Sequence, residues 1–198
     1  MELKDSGNRR EFTTGAVRDI AEGKGRCDLL PLDIIGNMMV NPILIDIERY
    51  IRTGEENYLE SAISEFAQRR FNNLETAILE VSKHYEDGAN KYAERNWEKG
   101  IPLHCYIDSG VRHYLKVLRG DKDEPHDRAF IWNMLGALWT AKNKPELVDL
   151  PFADCSHRQY FGDYSLHYCD IDSAICDTPT QCTKKEDINE SISNSINP

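Results

Sequence analysis

Three successive stretches of the chain carry apolar residues at helical spacing, each closed by a breaker. The clearest covers 72–93, where Leu74, Ile78, Val81, Tyr85, Ala89 and Tyr92 recur at steps of three and four. That spacing predicts one apolar helix face. Asn96-Trp97 and Gly100-Ile101-Pro102 end it. The second stretch runs from about 103 to 119, with Ile107, Val111, Leu115 and Leu118 on one face and Gly120 as its stop. The third opens on the acidic Asp123-Glu124-Pro125 and continues through Trp132, Leu135 and Trp139 to Asn143-Lys144-Pro145.

Upstream, 32–70 reads as two short helices parted by Thr53-Gly54-Glu55-Glu56. Leu59, Ile63, Phe66 and Ala67 line the second, and Pro31 suits the first turn of the first. Residues 1–33 read as a loop with at most a short helical turn. After Pro151 the periodicity is lost, and no alternating strand pattern of useful length occurs. The expectation is an all-α bundle of four to five helices with an irregular C-terminal tail. It divides into an arm (1–33), a helical domain (34–150) and a Cys/Asp/Ser-rich tail (151–198), disordered from about 171.

Charge narrows the partners. The net charge is −10 over 198 residues, and 151–198 contributes half of it, with eight acids against three bases. A nucleic-acid polymer needs a basic surface and is disfavoured. A small anionic substrate would need a local basic cluster or a divalent metal. The most apolar stretch, Ala129 to Trp139, is broken by Asn133 and Gly136 and is too short to span a bilayer. The polar start Met1-Glu2-Leu3-Lys4-Asp5 lacks a following apolar run. These features point to a cytoplasmic protein with no membrane partner, whose six cysteines are thiols or ligands. Neither Cys27 nor Cys105 has a Cys–His context for nucleophilic catalysis. Cys155-x-His157 and His167-x-Cys169 lack common zinc-module spacing.

Four constellations could carry chemistry. Arg18, Lys24 and Arg26 lie in a glycine-containing segment, either a phosphate-gripping arm or a solvated extension. Glu80, His84 and Lys91 share one side of the 72–93 helix and Glu86 lies at the opposite edge of its stripe. Such carboxylates either hold Mg²⁺ or are simply solvated. Asp108 and Arg112 form an i,i+4 pair, with His113 beside them. They read equally as a helix salt bridge or a phosphate-neutralising cluster. In Asp123-Glu124-Pro125-His126-Asp127, the acids are either a helix cap or metal ligands. His126 and Asn133, seven residues apart, could then position substrate or water.

Four blocks, in order, resemble the phage dATP/dGTP diphosphohydrolase family. They are Thr14-Gly15-Ala16-Val17-Arg18-Asp19 with Gly23-Lys24-Gly25-Arg26-Cys27-Asp28; His84-Tyr85-Glu86-Asp87-Gly88-Ala89-Asn90-Lys91-Tyr92 running into Arg95-Asn96-Trp97; Asp108-Ser109-Gly110-Val111-Arg112-His113; and Asp123-Glu124-Pro125-His126 followed by Trp132-Asn133. The blocks cover roughly 13–33 and 74–140, and 34–73 looks like an insertion. The family is similar to all-α, MazG-like nucleoside triphosphate pyrophosphohydrolases.

The resemblance implies a homo-oligomer that uses Mg²⁺ or Mn²⁺ to convert a purine dNTP to dNMP and pyrophosphate. It implies metal ligands among Glu86, Asp108, Asp123, Glu124 and Asp127. Lys91, Arg112 and the Arg18/Lys24/Arg26 arm would neutralise phosphate. His84, His113, His126 and Asn133 would orient water or substrate. Tyr92, Asn96 and Trp97 would contact the nucleotide, with Trp97 stacking on the base. The chain departs from the MazG-like pattern in one respect: Glu124-x-x-Asp127 supplies an E-x-x-D, but the 72–93 helix has no E-x-x-E. Two alternatives compete, an HD-type phosphohydrolase built on His126-Asp127 and a non-catalytic nucleotide-binding helical protein.

Overall fold

The computed structural model describes residues 9–150, together with the backbone of a hairpin pairing Arg158–Phe161 with Leu166–Cys169. The expected disorder from 171 lies outside the described residues. Residues 1–150 and 151–198 are separate units.

The described residues of the first unit are mostly helical, with six α-helices among them where four or five are expected. These are α1 (Leu32–Met39), α2 (Pro42–Thr53), α3 (Glu56–Phe71), α4 (Leu74–Tyr92), α5 (Leu103–Arg119) and α6 (His126–Asn143). The extra helix comes from a break inside 32–53. Val40 takes a left-handed conformation, Asn41 Oδ1 accepts from Leu44 N, and Pro42 starts α2. Asn73 caps α4 in the same way, accepting from Thr76 N at 2.8 Å. Buried Glu48 serves two partners, accepting from Leu32 N at 3.2 Å and from Arg52 Nε at 2.8 Å.

The segment expected to be a loop contains a small hairpin, β1 (Arg9–Glu11) against antiparallel β2 (Val17–Asp19), with Arg10 opposite Arg18. Three-residue strands leave no alternation to detect. They persist because distant side chains hold them, as described below.

Two glycines set the closest packing. A Cβ at Gly110 on α5 would stand 2.2 Å from Met134 Cε, and one at Gly136 on α6 would stand 2.3 Å from Tyr106 Cε1. The two helices therefore mesh backbone against side chain. Beside them Phe66, Tyr114 and Phe130 form a ring cluster with centroids 4.5–5.7 Å apart.

The α4 face differs from the expected stripe. Ala77, Val81 and His84 are buried, whereas Leu74, Ile78 and Leu79 are 42%, 43% and 70% exposed. α4 lies against its neighbours by Ala77, Val81, His84 and Tyr85, and leaves Leu74, Ile78 and Leu79 outward. No described helix is long and apolar enough to cross a membrane.

Candidate functional site

The hairpin, the following loop and the facing sides of α4, α5 and α6 enclose a cavity of about 600 Å³. Twelve residues expected at the site line it: Arg18, Lys24, His84, Glu86, Lys91, Tyr92, Asn96, Trp97, Arg112, His113, Glu124 and Asn133. Arg10, Asp19, Tyr85 and Trp132, which spacing alone did not single out, line it too.

The arm is fastened by polar contacts far apart in sequence. Asn96 Oδ1 accepts from Val17 N at 3.0 Å, and its Nδ2 donates to Val17 O at 2.9 Å. Asn96 thus stands in for a neighbouring strand beside β2. Asp19 receives Lys91 Nζ at 2.9 Å and Tyr92 Oη at 2.8 Å, tying β2 to the end of α4. Arg112 donates to the carbonyls of Lys24 and Gly25 at 3.2 and 3.1 Å, and it also pairs with Asp108. Asp108 Oδ1 accepts from Cys27 N at 2.7 Å. The loop reaches this position through Gly25 at φ 80°, a conformation that suits glycine.

Asp108, Asp127 and Arg26, all expected at the site, lie outside the cavity lining. Asp108 is buried, is absent from the cavity lining, and spends its carboxylate on Arg112 and the Cys27 N–H. It is a fastening, and the salt-bridge reading is the one the structure adopts. Asp127 also lies outside the lining: Oδ1 accepts from Arg128 N, and Oδ2 stands 3.8 Å from Arg70 on α3. The E-x-x-D pair is thereby split, with Glu124 in the lining and Asp127 outside it. Arg26 is exposed and paired with Asp28, away from the cavity. Glu80 pairs with Lys83 and Arg128.

Arg18 is held quite differently from Arg26. Its guanidinium donates to Cys105 O at 3.2 Å and to Asn133 Oδ1 at 2.8 Å, and lies over the rings of Tyr106 and Trp132 at 5.3 and 5.5 Å. Asn133 is itself fixed, donating to Ala129 O at 2.7 Å. Among the described residues, Arg18 and Lys24 form no ion pair with a carboxylate, and burial works against the charge of both. A guanidinium stays protonated regardless. The cavity therefore holds two cations that no carboxylate touches directly, with Asp19 and Glu124 acting on Lys24 from a distance.

The opposite corner is built from α5 and the start of α6. His113 Nδ1 lies 2.9 Å from His126 Nδ1, and His126 Nε2 lies 2.7 Å from Asp123 Oδ1. Glu124 Oε1 is 3.3 Å from His126 Nδ1. His126 and Asp123 sit behind the lining residues. Burial, then the neighbouring His126, push the His113 pKa well below its ordinary value. His84, buried among Arg128, Arg18 and Lys91, is brought down to about 4, and its Nδ1 lacks a hydrogen-bond partner. Glu86 lines the cavity and forms no ion pair among the described residues. Trp97 meets Tyr85 and Trp139 edge-on at 5.7 and 4.9 Å, giving the cavity an aromatic wall.

A Cys–His context appears that the sequence did not suggest. Cys105 Sγ lies 3.2 Å from His104 Nε2 and 3.2 Å from Arg10 Nη2. His104 also binds Asp149, which raises its pKa to about 10. Cys105 is 1% exposed and is not part of the lining.

Residues 68–150 match the family model described as dATP/dGTP diphosphohydrolase, N-terminal. The match covers 83 of the chain's 198 residues, so it is this segment that is similar to the family. No curated protein and no solved structure matches it. The segment shared with the dATP/dGTP diphosphohydrolases holds α4, α5 and α6, which supply the aromatic wall and the His113–Glu124 corner. The arm carrying Arg18 and Lys24 lies before it.

Proposed function

We propose that the protein hydrolyses a purine deoxynucleoside triphosphate, dGTP or dATP, to the monophosphate and pyrophosphate, with Mg²⁺ or Mn²⁺. The observation that carries this reading is the pair of cations, Arg18 and Lys24, without a directly bonded carboxylate in a cavity with an aromatic wall. A triphosphate supplies the missing negative charge, and a purine supplies a flat face for Trp97.

Each residue has a role in this reading. Arg18 presents a planar fork already locked by Asn133 and Cys105 O, so little side-chain freedom is lost on gripping a phosphate. Lys24 adds a point charge from the loop. Lys91 and Arg112 act mainly as fastenings, since Asp19 and Asp108 already offset them. His84 is neutral and is suited to orienting a water or a phosphate oxygen.

The donor chemistry fits a divalent ion. Glu86 and Glu124 line the cavity and could provide oxygen ligands, with Asp123 behind them. A bound ion would activate water and offset charge on the departing pyrophosphate. The exposed Leu74, Ile78 and Leu79 of α4 support self-association through that face. A cytoplasmic location remains part of the same reading.

The test is incubation of the full chain with each dNTP and Mg²⁺ or Mn²⁺, followed by chromatography of the products. Purine dNMP plus pyrophosphate is expected. Nucleoside plus tripolyphosphate, or no turnover at high protein concentration, overturns the reading.

A further inference from the structure

At one corner of the cavity three donor atoms converge. His113 Nδ1 lies 2.9 Å from His126 Nδ1. Glu124 Oε1, from the turn between α5 and α6, lies 3.7 Å from the first and 3.3 Å from the second. Two donors sharing one ion at about 2.1 Å stand about 3.0 Å apart at right angles and about 3.4 Å apart in a tetrahedron. The 2.9 and 3.3 Å separations match that range, and the 3.7 Å one between Glu124 and His113 closes with a shift of about 0.3 Å in the Glu124 side chain. We propose that His113, Glu124 and His126 hold one first-row transition-metal ion, of the Mn²⁺ or Zn²⁺ kind, in the nucleotide-free protein.

The hydrogen bonding prepares the donors. Asp123 Oδ1 accepts from His126 Nε2 at 2.7 Å, which puts the proton on Nε2 and leaves the Nδ1 lone pair facing His113. Without an ion, His113 Nδ1–H satisfies that lone pair. With an ion, His113 carries its proton on Nε2 instead, and both Nδ1 atoms become ligands with no net proton change. A carboxylate behind a ligating imidazole also fixes its orientation and strengthens it as a donor. The His126 side chain is 1% exposed, while His113 and Glu124 are each 17% exposed and border the cavity. One ligand is thus rigid and two are reachable.

The donor set decides the metal. Mg²⁺ takes oxygen ligands and keeps its waters, whereas two imidazoles and one carboxylate suit Mn²⁺, Co²⁺ or Zn²⁺. Lys116 Nζ lies 3.6 Å from Glu124 and 3.7 Å from Asp123, so part of the carboxylate charge is already offset. That penalises most an ion held by charge alone. The inference rests on the proposed function only for the ion's use, since the ligands are complete without nucleotide.

The full chain, stripped with a chelator, would be titrated with Mn²⁺ and separately with Mg²⁺ by calorimetry and electron paramagnetic resonance. Mn²⁺ is the probe because the tail's cysteines would compete for Zn²⁺. The expected result is one Mn²⁺ per chain, bound at least about tenfold more tightly than Mg²⁺, with imidazole nitrogen couplings in the pulsed spectrum. His113→Gln and Glu124→Gln should each weaken it about tenfold or more, and Asp123→Asn about tenfold. Lys116→Gln should tighten it. Melting curves confirm that the variants fold. Equal affinity for Mg²⁺, absent nitrogen couplings, or unchanged binding in folded His113→Gln overturns the site. Mn²⁺ binding without dNTP turnover supports the site and overturns the proposed function instead.

Discussion

The arm and the helical wall enclose the same cavity by opposite physical means. The wall is held by packing, with Gly110 and Gly136 letting α5 and α6 approach until Met134 and Tyr106 fill the gap. The arm buries little. It stays in place through Asn96 on Val17, Asp19 between Lys91 and Tyr92, and Arg112 with Asp108 on the 24–27 loop. A wall built this way fixes a shape. An arm fastened by a few polar bonds can open locally without unfolding the rest, and that suits the element carrying the charge a substrate must meet.

The largest effect expected is at the point where the two meet. Arg18→Ala should lower kcat/KM for a purine dNTP by about 100-fold, about 2.7 kcal/mol of transition-state stabilisation. Arg18→Lys should recover little of this, because an ammonium cannot occupy both Asn133 Oδ1 and Cys105 O as a fork does. Steady-state kinetics checks both. Full activity in Arg18→Ala would move the phosphate grip elsewhere.

Next comes the wall. Gly136→Ala drives a methyl into the Tyr106 ring, an overpacking that should cost about 1–3 kcal/mol and lower Tm by about 5 °C. Because Tyr106 lies under Arg18, activity should fall with stability. Asn96→Ala should act on the arm alone. Hydrogen exchange should quicken across Arg9–Glu11 and Val17–Asp19 while α5 and α6 stay protected, and KM should rise about fivefold, roughly one lost hydrogen-bond pair. Quickened exchange in α5 as well would mean that arm and wall fold as one unit.

Acid tests the wall through His84. Its pKa drops from 6.5 to about 4 on folding, so the unfolded chain takes up a proton that the folded chain does not. The stability its neutral ring contributes is complete above pH 6.5 and is lost as pH falls toward 4, at up to about 1.4 kcal/mol per pH unit. His84→Gln should flatten that limb of the Tm–pH curve by one proton's worth. An unchanged slope would show that the ring is charged in the folded state.

Much of the wall was legible in the sequence and little of the arm was. α4, α5 and α6 end at Asn, Gly and Pro signals close to where the structure ends them, because those residues act locally. Val81 is buried as the stripe predicts, but the burial of Ala77 rather than Leu74 and Ile78 was not legible, since the choice of face depends on what packs against α4. The hairpin was hidden because its strands are three residues long and held by Asn96, some 79 positions away. Among the acids, spacing alone could not separate ligand from fastening. Asp108 has Arg112 one turn on, and that pairing was already an open reading. Asp127 meets Arg70 only because α3 folds against α6, and nothing near it in sequence announces that.

The smallest effect sharpens the comparison most. Arg26 and Arg18 lie in the same arm, eight residues apart, and each carries one positive charge. Arg26 is half exposed and its charge is spent on Asp28, whereas Arg18 lies inside against two aromatic rings with no acid of its own. If the arm attracted a triphosphate by net charge alone, removing either arginine would cost the same, and added salt would erase both effects. If the cavity works by holding an unneutralised cation out of water, Arg26→Ala should change kcat/KM by less than about twofold, because an exposed pair contributes little. The Arg18→Ala loss should also persist in salt, since a desolvated charge is poorly screened. Kinetics of both variants at low and high ionic strength decides between these accounts, and a tenfold loss in Arg26→Ala would favour net charge.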